Sequence, residues 1–212
     1  MSKSSARPLS DAPAGKREAV LKAAGALFLQ VGFGAASMDV IARSAGVSKA
    51  TVYAHFASKE ALFAAMLEEG TRARFGDLDA DIEADAAGDD IAAGLRAIGR
   101  KFVAMALSPG GIAIYRVVVA ESARFPELGR AFYDNAPSVM RDSIERFLKR
   151  AVRRGQLVID DPRIAGDQFV GMIKGDLYVR LLLGLIDEIN PAEAEQVIEQ
   201  AVHTFLAAFR PR

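Results

Sequence analysis

Apolar residues along most of this chain recur three and four positions apart, the spacing of one buried helical face. Val20, Ala23, Ala24, Leu27, Phe28 and Val31 mark the first such stripe, over 15–31, and Gly32 follows as a C-terminal cap. Ser37 caps a helix over 38–45, with Asp39 in the first turn where the macrodipole favours a carboxylate. Ser48 caps a short helix over 49–55 whose inward pair is Val52 and Phe56. Ser58 opens a longer helix to about Phe75, with Leu62, Phe63, Met66 and Leu67 facing inward. Helical spacing then resumes over 91–107, 112–123, 126–134 and 138–154. Asp161-Pro162 and Asn190-Pro191 each place proline directly after a cap, opening two last helices that reach about Asp187 and Phe209. Glu193 completes a capping box in the second of these. No stretch of useful length alternates as a strand does. The pattern predicts an all-α fold of about nine helices.

Composition adds a division along the chain. Residues 1–14 are rich in Ser, Pro and Ala and read as a flexible arm. Lys plus Arg balances Asp plus Glu at 27 each, so no global field draws the chain to a polyanion. Locally the balance breaks: residues 1–56 carry seven basic side chains against three acidic ones. Between Arg74 and Arg96 there are seven acidic residues and no basic one. A basic head on an acidic body fits a polyanionic partner for the head alone. The acidic stretch 76–90 marks the joint, which sets a domain over 15–75 apart from a larger one over 76–212.

The segment Ser37–Phe56 carries the most specific pattern. Two short helices are separated by Gly46-Val47-Ser48, where glycine permits the positive φ of a sharp turn and Val47 plugs the angle. Ile41, Ala42, Val47 and Val52 lock the pair, and the first helix supplies a third wall. This is a helix-turn-helix, whose second helix enters the major groove of double-stranded DNA. Lys49, Ala50 and Thr51 stand at the end of that helix which reaches base edges. Tyr53, His55 and Lys59 are placed to reach phosphates, which supply position and salt-dependent affinity.

The stretch from Lys16 to about Glu69 resembles the N-terminal domain of the TetR family of bacterial transcriptional regulators, through AGALFLQVGF and ASMDVIARSAGVSKATVYAHFASKEALF. The resemblance implies operator contacts from Ser37, Lys49, Ala50, Thr51, Tyr53, His55 and Lys59, with Ser48 beside them at the start of the reading helix. Ala50 is a departure, since relatives often carry glycine there. Further on, YRVVVAESARFPELGRAFYDNAP and RAVRRGQL resemble the C-terminal domains of the AefR and AcrR-like branch. That implies a helical domain which binds a ligand and dimerises, and a repressor released from a near-palindromic operator by a small apolar or amphipathic effector.

Two stripes in the last helices are candidates for a homodimer interface: Ile173, Leu177, Leu181 and Leu185 on one, Val197, Ala201, Phe205 and Ala208 on the other. Both must also serve the chain's own core in part. Candidate pocket residues are Phe102, Met105, Tyr115, Val119, Phe132, Met140, Phe147 and Phe169, with Asp176 and Tyr178 as polar orienters. Asp176 has Lys174 and Arg180 near it in sequence as ordinary partners.

Other classes of function find less support. There is no cysteine, and no GxSxG, HExxH, P-loop or GxGxxG pattern. Asp77, Asp79 and Asp81 are spaced as in a calcium loop, but Ile82 and Gly88 stand where that loop needs glycine and glutamate. No cofactor, metal or catalytic residue is expected, and no apolar run reaches the roughly 18 residues of a membrane span. The expectation is a cytoplasmic regulator without membrane contact. The alternative is a ligand-sensing or interaction protein that does not bind an operator.

Overall fold

The computed structural model describes residues 13–75 and 90–211, and every regular element among them is a helix. The arm as far as residue 12, and the acidic residues 76–89 with the run Asp77, Asp79 and Asp81, lie outside the described residues. Ten helices follow in order: α1 Pro13–Ala35, α2 Met38–Ser44, α3 Lys49–His55, α4 Lys59–Phe75, α5 Ile91–Ala106, α6 Pro109–Glu121, α7 Pro126–Asn135, α8 Pro137–Arg153, α9 Pro162–Leu183 and α10 Pro191–Phe209.

The caps lie where short polar side chains precede apolar runs. Ser37 Oγ accepts from the Val40 N–H and Ser48 Oγ from the Thr51 N–H. Asp90, Asp161 and Asn190 each take first-turn N–H groups of α5, α9 and α10, satisfying donors that a helix leaves orphaned. Three details depart from the sequence pattern. Helix α6 begins at Pro109, ahead of Ile112, because Ser108 Oγ accepts from the Gly111 N–H. Helix α9 ends at Leu183, with Gly184 left-handed behind it, short of Asp187. Within α9 the backbone breaks at Gly175 (φ 28°, ψ −133°), so its register changes in mid-course.

The described residues group into two compact units that do not follow the chain order. One holds the chain up to Gly70 together with Val117–Asn135; the other holds Thr71–Arg116 and Ala136–Arg212. Helix α6 therefore begins in the second and ends in the first.

In the first unit, Val20, Ala24, Phe28, Phe33, Ile41, Val52, Leu62 and Phe63 are all excluded from solvent. The rings of Phe28, Phe33 and Phe63 lie 5.4–5.7 Å apart, and Phe125 meets Phe33 edge-on at 5.2 Å. Aromatic pairs in these geometries add to plain area burial. Helix α1, from Gly15 to Ala35, is long and apolar enough to cross a bilayer; here its apolar side chains Val20, Ala24 and Phe28 are spent on this core.

The second unit centres on Leu95, Ile98, Phe169, Ile173 and Phe205 from α5, α9 and α10. Gly99 lets these helices close: a Cβ there would stand 2.9 Å from Ile198 Cγ2 and 3.2 Å from Ile173 Cδ1. Ion pairs lace the surface, with Arg96 on Glu199, Arg100 on Glu195 and Arg163 on Glu145.

Candidate nucleic-acid interface

The turn between α2 and α3 is built by backbone chemistry. The Gly46 N–H donates to Arg43 O at 3.2 Å and the Val47 N–H to Ala42 O at 3.0 Å. This is the double closure of a Schellman motif, and it needs the left-handed φ of 68° that Gly46 adopts. Ile41, Ala42 and Val52 are buried beneath it, with Val47 half-buried. The pair of helices is thereby fixed as a unit.

Outside that core stand the expected readers. Lys49, Ala50, Tyr53 and His55 are exposed and Thr51 is half-buried. Lys49 and Thr51 already have polar partners within the head. Lys49 Nζ lies 2.8 Å from an Asp39 carboxylate oxygen on α2 and 5.8 Å from the centre of the Tyr53 ring. The hydrogen bond to Asp39 raises the Lys49 amine above its ordinary range, so the cation is held as a cation. Thr51 Oγ1 and Ser48 Oγ are 2.8 Å apart, which orients the threonine hydroxyl along the helix start. Ser37 is exposed at the start of α2.

Lys59 stands differently from the clamp that the sequence suggests. Its amine donates to the carbonyls of Phe33 at 2.6 Å, Gly34 at 3.3 Å and Ala36 at 2.9 Å. It also lies over the Phe33 ring, 4.4 Å from its centre. Desolvation is the main influence and lowers its pKa, while Glu60 and Glu121 pull the other way. With three carbonyls around one ammonium, its donors serve the end of α1.

Sequence reasoning passed over the partner of that arrangement. Glu121, the last residue of α6, accepts from the Gly34 N–H. An added Cβ would fall 2.9 Å from Glu121 Oε1 at Gly32 and 3.1 Å from Oε2 at Gly34. The only sequence signal is the pair of glycines flanking Phe33, of which Gly32 alone is expected as a helix cap.

The other candidates divide. Phe102, Met140, Phe147 and Phe169 are buried in the core of the second unit, with Met105 packed partly against it. Tyr115 and Tyr178 meet edge to face at 5.6 Å, and Lys174 Nζ lies 4.3 Å from the Tyr178 ring centre. Burial first, and Tyr115 beside it, push the Tyr178 phenol well above its ordinary pKa, so it stays protonated. Val119, 55% exposed, and the half-buried Phe132 belong to the first unit. The Asp176 side chain is solvated and pairs with Arg180 at 2.9 Å one turn on, so it orients nothing in an apolar interior.

Of the expected dimer stripes, Ile173, Leu177, Leu181, Ala201 and Phe205 are buried within the chain's own core, and Val197 packs against it. The five buried side chains have no face left for a second chain. Leu185 and Ala208 remain exposed. The apolar groups that α9 and the turn behind it present outward are Ile164, Val179, Leu183 and Leu185.

Comparison with known proteins finds a family for each of two successive stretches of the chain. Residues 20–66 match the domain of bacterial regulatory proteins of the tetR family, and residues 93–211 match the AefR-like transcriptional repressor C-terminal domain. The HTH-type transcriptional regulator UidR of Escherichia coli K12 is 44% identical over 62 residues, 28% of this chain. That match spans only about a third (32%) of UidR's length. The flavonoid-responsive regulator FrrA superposes with a TM-score of 0.77 at 37% identity, covering 93% of this chain and 98% of its own. A tetR-family regulator from Mesorhizobium loti superposes at 0.80 with 27% identity, covering 94% and 98%. The chain belongs to the TetR family of DNA-binding bacterial transcriptional regulators, with a C-terminal domain of the AefR-like repressor type.

Proposed function

We propose that this chain acts in the cytoplasm as a homodimeric repressor whose two α3 helices read successive major grooves of a near-palindromic operator. The observation that carries the reading is the exposed face of α3, with Lys49, Ala50, Tyr53 and His55, on a turn that Gly46 holds rigid. Two such heads related by a two-fold axis match half-sites roughly 34 Å apart. The outward groups Val179, Leu183 and Leu185 support a second copy seated on the end of α9.

For the effector, we propose a planar phenolic compound of the flavonoid class. FrrA, the relative at 37% identity over nearly its whole length, is described as flavonoid-responsive. The edge-to-face pair Tyr115–Tyr178, beside the break at Gly175, supports an aromatic ligand through ring contacts and a neutral phenol donor. Release follows if the ligand binds the DNA-free state more tightly than the bound state.

The test is selection of duplexes from a random library with the full-length protein, followed by anisotropy titrations on the recovered sequence. A palindromic consensus bound by a dimer, and released by flavonoid aglycones but not by saturated fatty acids, is the expected result. Recovery of no consensus would remove the operator reading. Release by fatty acids alone would remove the phenolic one.

A further inference from the structure

Asp39 is the one acidic residue in the helix-turn-helix segment Ser37–Phe56, and it is exposed where the reading above brings phosphates, which repel negative charge. Its position on α2, ten residues before Lys49, brings it onto the first side chain of α3. Both partners are solvated, with side chains 60% and 50% exposed, so the pair contributes little to holding the fold. Its effect falls on what Lys49 is free to do. The ion pair draws the amine back toward α2 and over Tyr53, at 5.8 Å from the ring centre.

Resting on the reading of α3 as the DNA-facing helix, we propose that Asp39 is a specificity-determining positioning residue. It acts as an internal counterion that keeps Lys49 from non-specific phosphates and yields it only when α3 is seated on its operator. The physical basis is exchange of counterions. When Lys49 reaches a phosphate it would release one condensed cation from the DNA, but the Asp39 carboxylate held beside it sets a negative charge against that neutralisation. The net release that drives binding is then cancelled at this position. On a random duplex nothing else offsets that cancellation. On the operator, the base contacts of the rest of α3 do. Thr51 is restrained in parallel, its hydroxyl 2.8 Å from Ser48 Oγ, so both polar side chains of the first turn are held until the helix docks.

The experiment compares the full-length protein with Asp39→Asn, Asp39→Glu and the double variant Asp39→Asn/Lys49→Met. Each is titrated on a random-sequence duplex and on the duplex selected by the wild type, across a salt series. For Asp39→Asn, binding to the random duplex is expected to tighten more than binding to the selected one. Its salt slope should steepen by about 2 per dimer, one cation per head, so the gain shrinks about tenfold between roughly 50 and 200 mM salt. Asp39→Glu restores the charge and is expected to restore the wild-type slope, which a purely structural role for the side chain would not do. In the double variant the added slope should vanish.

An Asp39→Asn protein that binds the random duplex like the wild type overturns the proposal. So does a double variant that keeps the full gain, because the effect would then be bare repulsion by Asp39. A wild type that binds neither duplex would strike the DNA-binding reading itself, and is distinguished from these outcomes by that.

Discussion

Glu121 Oε1 accepts a hydrogen bond from the backbone N–H of Gly34 at 3.1 Å, across 87 residues of sequence. Around it, Gly32 and Gly34 leave the space a carboxylate needs, and the Lys59 amine gathers the carbonyls of Phe33, Gly34 and Ala36. The end of α1 is thus closed from both sides, its N–H by an acid and its C=O groups by a base.

Gly32→Ala is expected to be the costliest small substitution in this turn. At φ 79° and ψ 167° only glycine is unstrained, and the new methyl would meet the carboxylate. A loss of about 1–3 kcal/mol follows from backbone strain alone. Urea unfolding of the full-length protein measures it, and a loss under about 0.5 kcal/mol would mean the turn relaxes easily.

Lys59→Met separates a structural amine from a phosphate clamp. Removing charge-assisted bonds to carbonyls is expected to cost about 1.5–3 kcal/mol in unfolding experiments. The salt slope of DNA binding should stay as in the wild type, since these donors face the end of α1. A slope reduced by about 1 per head would return Lys59 to the phosphates.

Gly46→Ala meets no neighbour within 4 Å, so its effect is conformational alone. Holding alanine at φ 68° is expected to destabilise the head by about 1 kcal/mol. DNA affinity measured well below the melting temperature should fall little, because the docked geometry is unchanged. A large affinity loss without a stability loss would contradict this.

Gly99→Ala tests packing in the second unit. The methyl would lie 2.9 Å from Ile198 Cγ2, so α5 and α10 must part slightly or a rotamer must change. About 1–3 kcal/mol of destabilisation is expected from such overpacking. A second substitution, Ile173→Val, removes the Cδ1 that would lie 3.2 Å from the new methyl and should recover part of the loss.

Acid should weaken the second unit in a defined direction. Hydrogen bonds from Lys149 and Arg100 depress the pKa values of Glu145 and Glu195 respectively below the ordinary 4.5. Groups depressed in the folded state contribute stability that is present above the unfolded pKa and is lost as pH falls through the folded one. Melting temperature should therefore hold from neutral pH to about 5 and decline below about 4.5. Glu145→Gln with Glu195→Gln should flatten that decline, and an unchanged decline would assign it to other carboxylates.

How much of this was legible beforehand follows from the range of the interactions. Periodicity, caps and the Gly46 turn depend on residues within a turn or two of each other. The helices, the turn at Gly46 and the helix-turn-helix at Ser37–Phe56 could therefore be read from the chain alone. Where Lys59 and Asp39 point could not, because their partners come from other elements whose docking no local pattern encodes. The break at Gly175 sat in a run whose spacing looks continuous. The stripes of α9 and α10 show the same limit from the other side. An apolar helical face declares that it will be buried, but not against what, since burial is non-directional. Sequence by itself determined that this chain builds helices and presents a reading head. Tertiary structure alone decided that Ile173, Leu177 and Phe205 are spent on the chain's own core, that Lys59 closes a helix end, and that Asp39 holds Lys49.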